Sequence, residues 1–208
     1  MPEMTVLLTY LAVLIGFVLF PGPSILLTLA RASTSGTRAG IATSLGIGFG
    51  DVIHTLLAVI GVSAVVMASA NAFLAVKLLG AGYLIYIGLR SIFDKTPLQR
   101  QMDLPLITPA KAFRQACLAE VLNPKSAMFF LAFLPQFVVP SQGYIASQLM
   151  VLGLLFVLVG TSATLLVAVG AGRLGRSLRR STAVLRWQGK VVGTLYCALG
   201  IRLAFQQR

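Results

Sequence analysis

The chain has 208 residues, the length of one domain, with 57% hydrophobic and only 11% charged residues and a mean hydropathy of +0.90. Soluble domains run nearer about half apolar and a quarter charged, so this composition excludes an ordinary soluble globule, a disordered chain and a disulfide-stapled module. The net charge of +12 would suggest nucleic acid in a soluble protein. Here the basic residues lie between long apolar runs instead of on one aromatic-flanked face, so no nucleic-acid partner is expected. What remains is a polytopic all-α membrane protein in a lipid bilayer.

A bilayer core about 30 Å thick needs about 20 apolar residues per helix. Such runs fall at about 4–30, 41–67, 71–92, 112–138, 144–170 and 187–205, most of them long enough to span with tilt. The first opens Met1-Pro2-Glu3 without a basic region, and its apolar run is too long for a cleaved signal peptide. Stretch 31–40 carries Arg31 and Arg38, and stretch 90–114 carries Arg90, Lys95, Arg100, Lys111 and Arg114. Stretch 171–190 carries Arg173, Arg176, Arg179, Arg180, Arg186 and Lys190, whereas 68–70 and 139–143 carry no Lys or Arg. The first, third and fifth connections are therefore basic. By the positive-inside rule they face the cytoplasm, which puts both termini outside. Arg202 and Arg208 lie on the wrong side for that rule and make the last span the least secure. The 173–190 cluster also suits anionic lipid heads, although orientation alone accounts for it.

The chain repeats itself. The third run contains Lys77-Leu78-Leu79-Gly80-Ala81-Gly82-Tyr83 and then Gly88-Leu89-Arg90; the sixth contains Lys190-Val191-Val192-Gly193-Thr194-Leu195-Tyr196 and then Gly200-Ile201-Arg202. The first run holds Pro21-Gly22-Pro23-Ser24 and the fourth holds Asn123-Pro124-Lys125-Ser126. A proline removes a backbone donor and clashes with the preceding turn, and in lipid the freed carbonyls need other partners. Breaks in corresponding spans of two halves point to a transporter's binding site. Three spans per half is an odd number, so the halves have opposite orientation. The expected fold is one domain, 1–208, of two inverted three-helix repeats. These occupy about 4–92 and 112–205, joined by a cytoplasmic loop at about 93–111, with helices 1 and 4 broken by proline.

Several polar groups fall inside the apolar runs. Asp51 lies near mid-depth of the second, where a charge costs roughly 2.5–3.5 kcal/mol. Burial favours the neutral form of a carboxyl, the property a proton carrier needs. His54 is one helical turn away on a similar face, so Asp51 and His54 form a candidate proton relay; the competing reading is a helix-packing hydrogen bond. Glu120 shares a face with Asn123, and Lys125 follows just beyond the break. A carboxylate and an ammonium there suit the two charged ends of a zwitterion, or else neutralise each other as an internal pair.

Gly46, Gly48 and Gly50 read as G-x-G-x-G without the strand a dinucleotide site needs; close helix packing is the better reading. Gly48-Phe49-Gly50-Asp51 matches the G-x-G-D string of intramembrane aspartyl proteases. That chemistry needs two carboxyls sharing a proton, and Asp94 and Asp103 lie in the predicted cytoplasmic loop. The second aspartate motif and the Pro-Ala-Leu motif of such enzymes are absent. No H-E-x-x-H and no C-x-x-C occur, and Cys117, Cys197 and His54 fall in three different spans. Neither a catalytic constellation nor a metal or other cofactor is expected.

Taken together, the chain resembles the LysE/RhtB-type amino-acid exporter family along essentially its whole length. The features are Pro21-Gly22-Pro23, Gly50-Asp51, Lys77-Leu78-Leu79-Gly80-Ala81-Gly82-Tyr83-Leu84 with Gly88, Asn123-Pro124-Lys125, and Leu134-Pro135-Gln136-Phe137. The resemblance implies a multi-pass exporter of the bacterial inner membrane, driven by the proton or membrane potential, whose cargo is a small zwitterionic amino acid or derivative. It implies a path framed by the broken helices, with Pro21, Gly22 and Pro23 on one side and Asn123, Pro124 and Lys125 on the other, and Asp51 as coupling candidate; Ser24, next to the first break, is added to the path from the residues alone. Glu120 and His54 rest on the residue-by-residue reading alone. The alternatives are efflux of a cation or another small metabolite, an intramembrane enzyme, and a non-transporting membrane subunit. The glycine-rich faces allow a homodimer without requiring one.

Overall fold

The computed structural model describes residues 4–19, 22–68, 70–93 and 104–180, and, near the C-terminus, 190, 193–194, 197–198, 200–201 and 204–205. Every regular element among them is helical: α1 (Met4–Leu19), α2 (Pro23–Ser35), α3 (Thr37–Ala68), α4 (Ala70–Phe93), α5 (Pro109–Val121), α6 (Pro124–Met128) and α7 (Ile145–Arg180). A π-helical turn at Phe129–Phe133 and 3-10 turns at Leu134–Phe137 and Pro140–Gln142 connect α6 to α7.

Three of these helices start the same way. Gly22, Thr108 and Asn123 are N-caps in extended conformation, each followed by proline at the first helical position. There the missing N–H costs nothing and the fixed φ suits the helix. The Thr108 hydroxyl accepts from the Lys111 N–H, and the Asn123 side chain from the Lys125 N–H. The same prolines that start α2 and α6 end what would otherwise be continuous spans. Met4–Val18 bends by 50° against Pro23–Ser35, and Pro109–Val121 by 44° against Pro124–Phe137. The proline breaks expected in the first and fourth runs are therefore present.

Thr37–Val62 and Ile145–Ala171 are long and apolar enough to cross a membrane, and each bent pair counted as one span brings the total to four among the described residues. The third expected run is a helix of 24 residues, α4, of which Leu78–Arg90 is a shorter apolar stretch. The sixth falls largely outside the described residues, as do Pro21, Asp94, Asp103, Arg202 and Arg208. Its described residues are helical and pack antiparallel to α4. A Cβ on Gly88 would lie 2.6 Å from the Gly193 carbonyl oxygen, and one on Gly200 would lie 2.7 Å from that of Ala81. Between these contacts the Cys197 thiol donates to the Ile85 carbonyl at 3.7 Å. Glycine at 88, 193 and 200 is what lets the backbones come this close.

One correction concerns the first connection. Residues 31–40 are not a loop: α2 runs to Ser35, α3 begins at Thr37, and Gly36 alone reverses the chain at φ +87°, where a side chain would be strained. Arg31 is consequently buried. Its Nη1 donates to the Pro105 carbonyl at 2.8 Å and its Nη2 to Gln115 Oε1 at 2.9 Å, and the Ile107 N–H donates to Ser35 Oγ at 3.2 Å. Leu104 joins Leu29, Ala30, Ala32 and Ala171 in a small apolar cluster at this end.

The larger core lies at the opposite end. Phe17 and Phe129 pack with tilted rings and centroids 4.6 Å apart, Phe129 and Phe156 likewise at 4.7 Å, and Phe130 meets Phe156 edge-on at 4.8 Å. Tyr10, fully buried, donates its hydroxyl to the Leu152 carbonyl at 2.8 Å. Beside this core the chain between α6 and α7 is held by Gln148, which is 1% exposed. Its Nε2 donates to the Val139 and Gly143 carbonyls at 3.0 and 2.7 Å, and its Oε1 accepts from the Val139 N–H at 2.9 Å. Gln148→Leu removes three hydrogen bonds to part-buried backbone groups, at about 0.5–1.5 kcal/mol each. A melting curve in detergent should shift down by several degrees (about 2–4 °C per kcal/mol at this chain length); an unchanged curve would refute the clamp.

Candidate functional site at the helix breaks

The breaks of the first and fourth runs meet in the middle of the protein. α3 packs along both α5 and α7, while α2 packs on α3 and α7. The three glycines expected to mediate close packing do so. Gly46 and Gly50 face α5, where an added Cβ would come within 3.1 Å of Ala116 Cβ and 2.7 Å of Glu120 Cβ respectively, and Gly48 faces Thr161 of α7. This tight α3–α5 seam puts Asp51 beside Glu120.

Pro124 shapes the site through the donor it lacks. In a continuous helix the residue 124 N–H would bond the Glu120 carbonyl, but proline has no N–H. The Asn123 N–H takes that carbonyl at 2.9 Å, and so does His54 Nε2 at 3.0 Å. His54 therefore donates from Nε2 to a carbonyl that the break set free, and its ring stacks on Phe130 with centroids 5.6 Å apart and planes 17° apart. Among the described residues this bond ties α3 to the break.

The Glu120 side chain, 3% exposed, is fully engaged. Ser24 Oγ, from the start of α2, donates to Oε2 at 2.6 Å. Asn123 Nδ2 donates to Oε1 at 3.1 Å and also reaches Ser24 Oγ at 3.3 Å. Ser126 Oγ donates to the same Oε1. One carboxyl thus connects the two helix breaks.

Asp51 differs. It is 2% exposed, and its Oδ1 is buried without a hydrogen-bond partner among the described residues. Burying a polar atom unpaired is expensive, so its position needs a reason. The residue lines a cavity of about 50 Å³, as do the polar residues Glu120, Lys125, Ser24, Ser126 and Thr164. Phe17, Val18, Ile25, Ile47 and Phe156 supply its apolar walls. Gly22 and Gly160 open the remaining sides. A Cβ at Gly160 would lie 3.8 Å from Asp51 Oδ2, and one at Gly22 would lie 2.8 Å from Lys125 Nζ. The Lys125 ammonium sits 4.2 Å above the Phe17 ring, a cation–π distance. A cavity of this size has room for a few waters. Sites for small molecules span about 300–1,000 Å³, so the walls must part to admit one. Asp51 and Gly160 lie close to the middle of the spans Thr37–Val62 and Ile145–Ala171, so the cavity is at mid-depth.

The structure therefore brings Gly22, Ser24, Asp51, Glu120 and Lys125 to one cavity. It uses Pro23, Asn123 and Pro124 as helix starts at its edge and sets His54 behind it. The matched caps align Gly22 with Asn123 and Pro23 with Pro124, one residue away from the register suggested by the two four-residue strings. Ser126, Phe17 and Gly160 were not among the expected site residues. Ser126 lies two positions beyond Pro124, within reach of a carboxyl folded back across the break. Phe17 and Gly160 join through tertiary contacts that no local pattern announces. The described residues hold no group of three or more His, Cys, Asp and Glu able to bind a metal.

Residues 15–207 match the LysE type translocator family. The chain belongs to this family. Along nearly all of its length this LysE-type chain is similar to two uncharacterised membrane proteins. It is 31% identical to one from Vibrio cholerae over 202 residues, covering 97% of this chain and 98% of the relative. It is 30% identical to one from Pseudomonas aeruginosa over 204 residues, covering 94% and 93%. It is also 31% identical over 131 residues to the leucine efflux protein of Salmonella typhimurium, 62% of each chain. No solved structure matches it significantly. The protein is thus a multi-pass bacterial membrane protein of the translocator type, and its relatives include an efflux protein.

Proposed function

We propose that this LysE-type protein exports small zwitterionic amino acids across the bacterial inner membrane in exchange for protons. The observation that carries the reading is the mid-depth cavity between two broken helices, lined by one acid, Asp51, and one amine, Lys125, able to meet the two ends of a zwitterion. A zwitterion cannot cross a low-dielectric core without compensation of both ends. Broken helices in corresponding spans are where secondary transporters do this. Asp51 can hold either a proton or an ammonium, not both, and that competition is sufficient to couple outward movement of cargo to inward movement of protons.

The reading includes six spans in two inverted repeats with both termini outside. Its support is the pair of proline breaks and the antiparallel contact of α4 with the C-terminal segment, where Gly88 meets Gly193 and Ala81 meets Gly200. Those residues come from the repeated strings, as a pseudo-two-fold axis between the halves would require. Arg31, Leu104 and Ala171 gather at one end, in keeping with the first, third and fifth connections sharing the cytoplasmic side.

The test is export from cells lacking their own amino-acid exporters, loaded with dipeptides of one residue type at a time. Leucine comes first, given the name of the Salmonella relative. The expected result is amino acid appearing in the medium only when the chain is expressed, and less of it when the proton gradient is collapsed. Silence across all amino acids would reject the reading in favour of cation or metabolite efflux.

A further inference from the structure

The two acids of the cavity are not equivalent, and the difference bears on which cargo fits. Glu120 spends both oxygens on Ser24, Asn123 and Ser126. Asp51 Oδ1 meets no donor among the described residues. Of the two acids that line the cavity, Asp51 alone keeps a carboxyl without a side-chain donor among the described residues, and it is the acceptor left for a cation. The same cavity is lined by Lys125 and by Gly22, Ser24 and Ile25 at the start of α2. The first turn of that helix carries backbone N–H groups without intrahelical partners, its N-cap Gly22 supplies no side-chain cap, and the positive end of the helix dipole favours an anion. Gly22 leaves the approach between them free, since its missing Cβ would lie 2.8 Å from Lys125 Nζ. The apolar walls are Val18, Ile25, Ile47 and Phe156, and Phe17 already faces the Lys125 ammonium, so beyond Asp51 and the committed Glu120 the cavity holds no further carboxylate for a second cation among the described residues.

We propose that the site is built for exactly one cation and one anion: Asp51 takes the α-ammonium, Lys125 with the α2 N-terminus takes the α-carboxylate, and the side chain enters an apolar pocket. The cargo class is then amino acids with uncharged, apolar side chains, and Lys125 is the residue that sets it. A dicationic amino acid such as lysine would bring a second ammonium to a cavity that already holds one and whose second carboxylate is committed to the protein. This inference rests on the exporter reading above.

The experiment uses the full chain in proteoliposomes and measures inhibition of labelled leucine counterflow by four unlabelled probes. These are L-leucine, 3-methylbutylamine (no carboxylate), 4-methylpentanoate (no ammonium) and L-lysine. For the wild type, each single-ended probe should inhibit at least about tenfold more weakly than leucine, because each forfeits a charge-assisted contact. Lysine should be weaker still. In Lys125→Met the leucine constant should rise about tenfold or more while that of 3-methylbutylamine stays put, so the gap between them closes. Lys125→Arg, which keeps the charge, should restore most of the gap and guards against a folding defect in the methionine variant. Equal weakening of leucine and 3-methylbutylamine in Lys125→Met, or lysine competing as well as leucine in the wild type, would overturn the proposal while the exporter reading stands. Absence of wild-type counterflow with any amino acid would remove both.

Discussion

Replacing Asp51 with asparagine is expected to cut net export by about ten- to a hundredfold while leaving the protein folded. The two halves of that expectation come from the same geometry. Among the described residues no hydrogen bond to Asp51 Oδ1 exists to be lost, and Thr55 bonds the Asp51 backbone carbonyl, at 2.9 Å, which the substitution keeps. Asparagine is nearly isosteric and spares the roughly 2.5–3.5 kcal/mol that a charge costs at the centre of a bilayer. Insertion and melting temperature should therefore hold or improve. Function should suffer, because an amide neither binds a proton at working pH nor offers an ammonium a full countercharge. Two fluxes in proteoliposomes separate its roles. Uphill transport driven by an imposed proton gradient should disappear in Asp51→Asn. Counterflow, which needs cargo binding but no proton, should fall less steeply if Asp51 serves the proton chiefly, and equally if the ammonium sits there too. A variant with both fluxes at wild-type level would reduce Asp51 to a packing residue.

Much of this site could be read from the chain because a few residues have strong local consequences. Proline in an apolar run breaks a helix wherever it is buried, so the break at Asn123-Pro124 and the bend before Pro23 were legible without tertiary information. Asp51 was legible because a carboxyl in such a run is costly and needs a purpose. The glycines of the second run were legible as packing positions, though not which faces they serve: Gly46 and Gly50 meet α5 while Gly48 meets α7. Arg31 shows where the pattern misled. A basic residue flanking an apolar run reads as a loop charge, yet Gly36 allows a one-residue turn, and α2 carries Arg31 inward to bind Pro105 and Gln115. The division of labour between the acids was out of reach. It depends on Ser24 lying 2.6 Å from Glu120 across 96 positions of sequence, a contact made only when the halves assemble. The same holds for His54, whose partner is a carbonyl liberated 66 residues away.

That division predicts opposite outcomes for two changes at Glu120. Glu120→Ala removes the acceptor shared by Ser24, Asn123 and Ser126 and opens a void where the two breaks meet. At about 1 kcal/mol or more for each stranded polar group, the loss approaches 3 kcal/mol, or about 6–12 °C of melting temperature at this size. The damage should concentrate where α2 meets α6, because Glu120 is the link between them. Glu120→Gln should keep most of the stability. Its carbonyl still accepts from Asn123 and Ser126, and the Ser24 hydroxyl can rotate to accept from the amide nitrogen. The decisive comparison is therefore the melting curve and leucine flux of the glutamine variant. With Glu120 acting as the strut between the breaks, the glutamine protein melts near wild type and transports with a raised or lowered maximal rate but a little-changed half-saturation. A glutamine protein that folds normally yet loses its affinity for leucine would move the ammonium site from Asp51 to Glu120. The unpartnered oxygen of Asp51 would then need another explanation.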